Sequence, residues 1–144
     1  RCAALLKQFH ANLLKEGIEA LDAGQIALGA DYFLREFVIG TCRENLFELE
    51  PIRVRQFAGH WYIIKTLEPN LKELTQILQG VAIFYTYLQQ QGAVDSATLE
   101  KIKTNSTDSD FYRRRIEGFW EISGDDGYPQ WCQECPLPEC AGSA

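Results

Sequence analysis

At 144 residues, with 46% hydrophobic and 12% aromatic residues, the chain is sized for one domain and is too apolar for general disorder. A net charge of −6 argues against a dedicated nucleic-acid binder, whose contact face is basic. No apolar run approaches the roughly 18 residues of a membrane span, and the short run after Arg1 soon meets Lys7, Gln8 and His10, unlike a secretory signal. The expected location is therefore the cytoplasm.

Leu5, Leu6, Phe9, Leu13, Ile18 and Leu21 recur at helical steps and predict a first amphipathic helix, weakened at Gly17 and ended by Asp22-Ala23-Gly24. A second helix is predicted from Ile26 to Ile39, with Ala30, Phe33, Leu34, Phe37 and Val38 on its inner stripe and Gly40 closing it. Pro51 opens a third, with Val54, Phe57, Trp61 and Ile64 on one face. The strongest signal follows Pro69. Leu71, Leu74, Leu78, Val81, Tyr85 and Leu88 alternate three and four apart until Gly92, which marks a helix central to the fold. Ser96 is the expected N-cap of a helix carrying Leu99 and Ile102. Thr104 to Asp110 reads as a loop, and Phe111 to Ile122 as a last helix with Phe111, Ile116, Phe119 and Trp120 as its apolar positions. No strand-like alternation occurs. The prediction is an all-α bundle of five or six helices over residues 1–122, followed by an irregular, acidic, cysteine-containing tail over 123–144.

The middle of the chain resembles the SAM-like core-binding domain of tyrosine recombinases and phage integrases. The likeness spans about residues 31–102. It runs from Tyr32-Phe33-Leu34-Arg35-Glu36-Phe37 through Phe47-Glu48-Leu49-Glu50-Pro51, Val54-Arg55-Gln56-Phe57 and Trp61 to Ile83-Phe84-Tyr85-Thr86-Tyr87-Leu88 and Gln91-Gly92. It implies a helical fold and a DNA-side role, without recombinase chemistry. Neither His10 nor His60 is followed by arginine three residues on, as the catalytic His-x-x-Arg element of that family requires.

Among chemistry-bearing patterns, Cys132-Gln133-Glu134-Cys135 with Cys140 is the most unusual. A C-x2-C pair can present two thiolates to one zinc ion, with Cys140 as a third ligand and Cys42 or His60 as a fourth. The alternatives are a redox role or unpaired tail thiols. Arg113, Arg114 and Arg115, with Lys101 and Lys103, can contact phosphate. Asp108, Asp110, Glu117 and Glu121 stand beside the arginines, however, and favour a solvated ion-paired face. His60, between Gly59 and Trp61, reads more simply as an interface histidine than as a catalyst. Tyr62 and Tyr87 fall off the core stripes and are the tyrosines expected to meet a partner. No phosphate loop, H-E-x-x-H or G-x-S-x-G appears, so enzymatic chemistry has no positive support. The leading expectation is a non-catalytic helical interaction module that self-associates or docks a protein. A DNA-associated accessory domain comes second, and a metal-binding or redox-sensing protein third.

Overall fold

The structure, a computed structural model, describes residues 2–138 and confirms an all-α bundle. Among the described residues there are seven helical rods and no strand. The first, α1, is Cys2–Lys15. The second, α2, runs over Ala20–Asp31 and continues as wide π-type turns over Tyr32–Ile39. After a single 3-10 turn at Leu46–Glu48, α3 comprises Ile52–Gln56, a π stretch at Phe57–Trp61 and a last turn at Tyr62–Lys65. Leu71–Gln90 is α4, Ser96–Ser106 is α5, Ser109–Trp120 is α6 and Gly127–Gln133 is α7.

The first break falls earlier than the sequence predicts. Gly17 adopts φ +92°, and the bonds Gly17 N–H to Leu14 O and Ile18 N–H to Leu13 O form a Schellman cap there. The Asp22-Ala23-Gly24 triplet lies inside α2 instead, with Ala23 buried. Gly92, at φ +77°, ends α4 by the same geometry, as expected. The caps of α4 and α5 are side-chain ones. Asn70 accepts from Glu73 N–H at 2.8 Å, and Asp95, rather than Ser96, accepts from Thr98 N–H at 2.7 Å. The predicted loop at 104–110 shrinks to two residues. Thr104 and Ser106 bond back to carbonyls four residues earlier, so α5 extends to Ser106.

Packing centres on α4, which lies between α2 on one side and α5 and α6 on the other. The contact between α2 and α4 is unusually close because small residues face each other. A Cβ at Gly80 would stand 2.5 Å from Ile26 O and 3.0 Å from Ala30 N, and one at Gly29 would stand 3.0 Å from Ile77 Cα. Above this crossing, Phe33, Phe37, Phe57 and Trp61 form an aromatic cluster with centroids 5.0 to 6.1 Å apart. Such pairs add about 0.5–1.5 kcal/mol each beyond the burial itself.

The segment expected to be an irregular tail contains α7, and its Trp131 is only 4% exposed. Residues 127–135 are therefore packed onto the bundle. The core side of α6 also differs from expectation. Tyr112, Arg115 and Ile116 are buried, whereas Trp120 is 60% exposed.

Candidate functional site

Two regions hold the residues of interest. The first is where α7 is held against α3 and α6. Arg115 is buried and donates from Nε to Gly59 O at 2.8 Å and from one terminal nitrogen to Trp131 O at 2.8 Å. Its guanidinium lies 3.9 Å above the Trp131 ring, while Trp131 Nε1 donates to Arg115 O at 2.9 Å. Beside it His60 is buried and its Nδ1 donates to Cys135 O at 2.7 Å, since a carbonyl can only accept. Burial holds the His60 pKa below its usual value, and the nearby Arg115 charge adds to that. The buried Cys135 thiol donates to Arg55 O at 3.5 Å and packs against Gly59, where an added Cβ would lie 3.0 Å from Sγ. Burial pushes this thiol's pKa up. Half-buried Cys132 follows Tyr128 by one turn of α7, and this neighbour is the first cause of the raised Tyr128 pKa.

The structure therefore brings together Cys135 and His60 of the predicted metal set, but through a backbone carbonyl. Cys140 lies outside the described residues. Cys42 is buried at the end of α2, and no three His, Cys, Asp or Glu residues among those described gather so as to hold a metal ion.

The predicted phosphate-binding set does not form one surface. Arg115 is removed from it because its guanidinium supplies donors to two buried carbonyls. Arg113 is engaged on its own helix by Asp110 and Glu117, each at 3.4 Å. Arg114, Lys101 and Lys103 remain exposed.

The second region is the outer face of α2 and the hollow beside it. Leu21, Gln25, Leu28, Tyr32 and Arg35 follow at steps of four, three, four and three and share one side of the helix. Leu21 and Leu28 are each 68% exposed. Leu21 thus belongs to this outer face and not to the core stripe of the first helix. Arg35 pairs with Asp31 at 2.8 Å yet stays largely solvated.

Adjoining this face, and sharing Gln25, Leu28, Tyr32 and Arg35 with it, an open hollow of about 670 Å³ lies between α2, α3 and α4, lined also by Tyr62, Glu73 and Ile77. Tyr62, expected at a contact surface, is 1% exposed and donates to Glu73 Oε1 at 2.6 Å. Burial is the main reason its pKa is raised. The π stretch at Phe57–Trp61 explains the misplacement. Its i→i+5 turns insert a residue relative to the 3.6 period, so the next side chains rotate toward the core. Trp61 ends that stretch. Its buried indole N–H has no acceptor among the described residues, a deficit of about 1–3 kcal/mol.

Comparison of the chain with family models, with curated proteins and with solved structures returns no match. No helix among the described residues is long and apolar enough to cross a membrane.

Proposed function

We propose that this chain is a non-catalytic helical interaction module that self-associates through the outer face of α2. The observation that carries the reading is the pair Leu21 and Leu28, each 68% exposed, seven residues apart on a regular helix whose other side buries Ala23, Gly29 and Ala30. Leu14, near the end of α1, is also exposed, at 44%. Isolated exposed leucines need no explanation, but two at heptad spacing form a seam.

Charge selects a second copy as the occupant. The face begins with exposed Glu19 and Asp22 and ends with exposed Arg35. An antiparallel, two-fold pairing centred at Leu28 sets Leu28 against its own copy and Arg35 of each copy over Leu21 of the other, within a turn of that copy's Glu19 and Asp22. A two-fold interface must be self-complementary in this way. A parallel pairing would set like charges side by side.

The DNA-associated alternative draws on Arg114, Lys101 and Lys103 in a chain of net charge −6, and is the weaker reading. Cysteine pairing tests the proposed geometry. Leu28→Cys is expected to yield a covalent dimer on mild oxidation, since a two-fold axis at this residue brings its two copies within disulfide reach. Leu67→Cys, at a position 92% exposed but off the seam, is the control. Equal cross-linking of both variants would refute the arrangement.

A further inference from the structure

The end of α7 is fastened by one cysteine while a second stands beside it. Cys135 is buried, and its thiol donates to Arg55 O at 3.5 Å. Its Sγ lies 3.0 Å from where a Cβ on Gly59 would stand, so the seat depends on glycine there. The Cys135 carbonyl accepts from buried His60 at 2.7 Å. The seat also depends on a reduced sulfur, since only a thiol carries the hydrogen that Arg55 O accepts. Burial pushes this thiol's pKa up, which keeps it protonated in place. Cys132, one turn earlier, is half-buried and is the sulfur that solvent reaches.

The two cysteines are spaced for a bond with each other, and neither is in a disulfide. Cys135 N–H donates to Cys132 O at 3.3 Å, which closes a four-residue turn. Such a turn holds its end Cα atoms within about 7 Å, and disulfides bridge Cα separations of roughly 4.4–6.8 Å. Bonded sulfurs stand only about 2.05 Å apart, so Cys135 Sγ leaves its present place when the bond forms. Its hydrogen bond to Arg55 O is then lost, and its packing on Gly59 with it.

We propose that Cys132 and Cys135 form a redox latch, in which a disulfide between them releases α7 from α3 and exposes Trp131. A hydroperoxide is the oxidant. The Cys132 thiolate attacks one peroxide oxygen and becomes a sulfenic acid, while the other oxygen leaves as water or an alcohol. The Cys135 thiolate then attacks the Cys132 sulfur and hydroxide leaves. The two thiols have together given up two electrons and two protons. A dithiol reverses the step by exchange. The Cys135 carbonyl moves with its sulfur, so His60 loses its acceptor and the opening spreads to Trp131, four residues earlier. None of these residues lies on the outer face of α2, so the latch does not depend on self-association.

The test is treatment of the full chain with hydrogen peroxide, followed by two readouts. Digestion of the denatured product at glutamate separates Cys132, Cys135 and Cys140 through cleavage at Glu134 and Glu139, and so identifies the joined sulfurs. Brief chymotrypsin treatment of the folded chain reports release, because cleavage after Trp131, a residue 4% exposed, needs α7 to open. Oxidation is expected to join Cys132 to Cys135 and to raise cleavage after Trp131 about tenfold or more, as for loss of one or two hydrogen bonds. Dithiothreitol should restore protection in the same sample. Cys132→Ser, a change at a half-buried position, should stay protected throughout. A different pairing, unchanged protection in the joined form, release that dithiothreitol does not reverse, or equal release in Cys132→Ser would each overturn the latch.

Discussion

Of three consecutive arginines, Arg113 is neutralised on its own helix, Arg114 faces solvent, and Arg115 is inside the molecule. Position decides their roles. Arg115 falls three residues after Tyr112 and one before Ile116, on the buried side of α6, and its donors meet carbonyls of two other segments. Arg115→Ala would leave Gly59 O and Trp131 O without those donors and remove the guanidinium from the Trp131 ring. The expected loss is on the order of 3 kcal/mol in urea unfolding, with early proteolysis near α7. Arg113→Ala should change stability by about 0.5 kcal/mol or less, because its two exposed ion pairs contribute little. His60 supplies a pH signature. Its folded-state pKa lies below the unfolded value of about 6.5, so the unfolded chain takes up a proton first. Stability is complete above that pH and declines as pH falls from about 6.5 through the folded pKa. The urea midpoint should therefore drop between neutral and mildly acid pH in the native chain, and drop less in His60→Asn, whose amide can still donate to Cys135 O. Equal slopes in the two proteins would contradict this role for His60.

At the scale of elements, the crossing of α2 and α4 depends on Gly80. In an ordinary helix interior, glycine to alanine stabilises by about 1 kcal/mol. Here the new Cβ would lie 2.5 Å from Ile26 O, a backbone atom that cannot rotate away. Gly80→Ala is therefore expected to destabilise by about 1–3 kcal/mol in chemical denaturation, the range for overpacking, and a stabilised variant would refute the close crossing. The leucine repeat of α4, the stripe from Ala30 to Val38 and the stop at Gly92 were all readable from sequence, since each is local periodicity or local capping. What was not readable has specific causes. The wide turns at Phe57–Trp61 break the 3.6 period, which hid the burial of Tyr62. Trp131 lies in an acidic, proline-containing stretch with no stripe of its own, and its burial depends on Arg115, which sequence reading assigned to the surface. Gly29 and Gly80, in the middle of good helices, were the available sign of a close crossing. Of the candidate sites, the cysteine cluster was conspicuous in sequence. The hollow beside α2 was not, because its lining comes from three helices distant along the chain.

At the scale of the whole molecule, the bundle packs most of the apolar stripes that the sequence contains and leaves Leu21 and Leu28 on one helix face in water, with Leu67 and Trp120 exposed elsewhere. Leu21 and Leu28 present a large apolar area to water from a rigid helix, so covering them requires no reordering of the backbone. If a second copy covers them, the assembly is closed and two-fold, and the acidic start of α2 in each copy meets Arg35 of the other. The measurement that tests this most directly is solution molar mass by light scattering, across a dilution series, for the native chain and for Leu28→Glu. A two-fold seam at Leu28 predicts a dimer that dissociates on dilution, and a Leu28→Glu protein of unchanged helicity whose dissociation constant is raised by about 30-fold or more. A native chain that remains a monomer of 16.4 kDa at the highest concentration, or a dimer indifferent to Leu28→Glu, would contradict it.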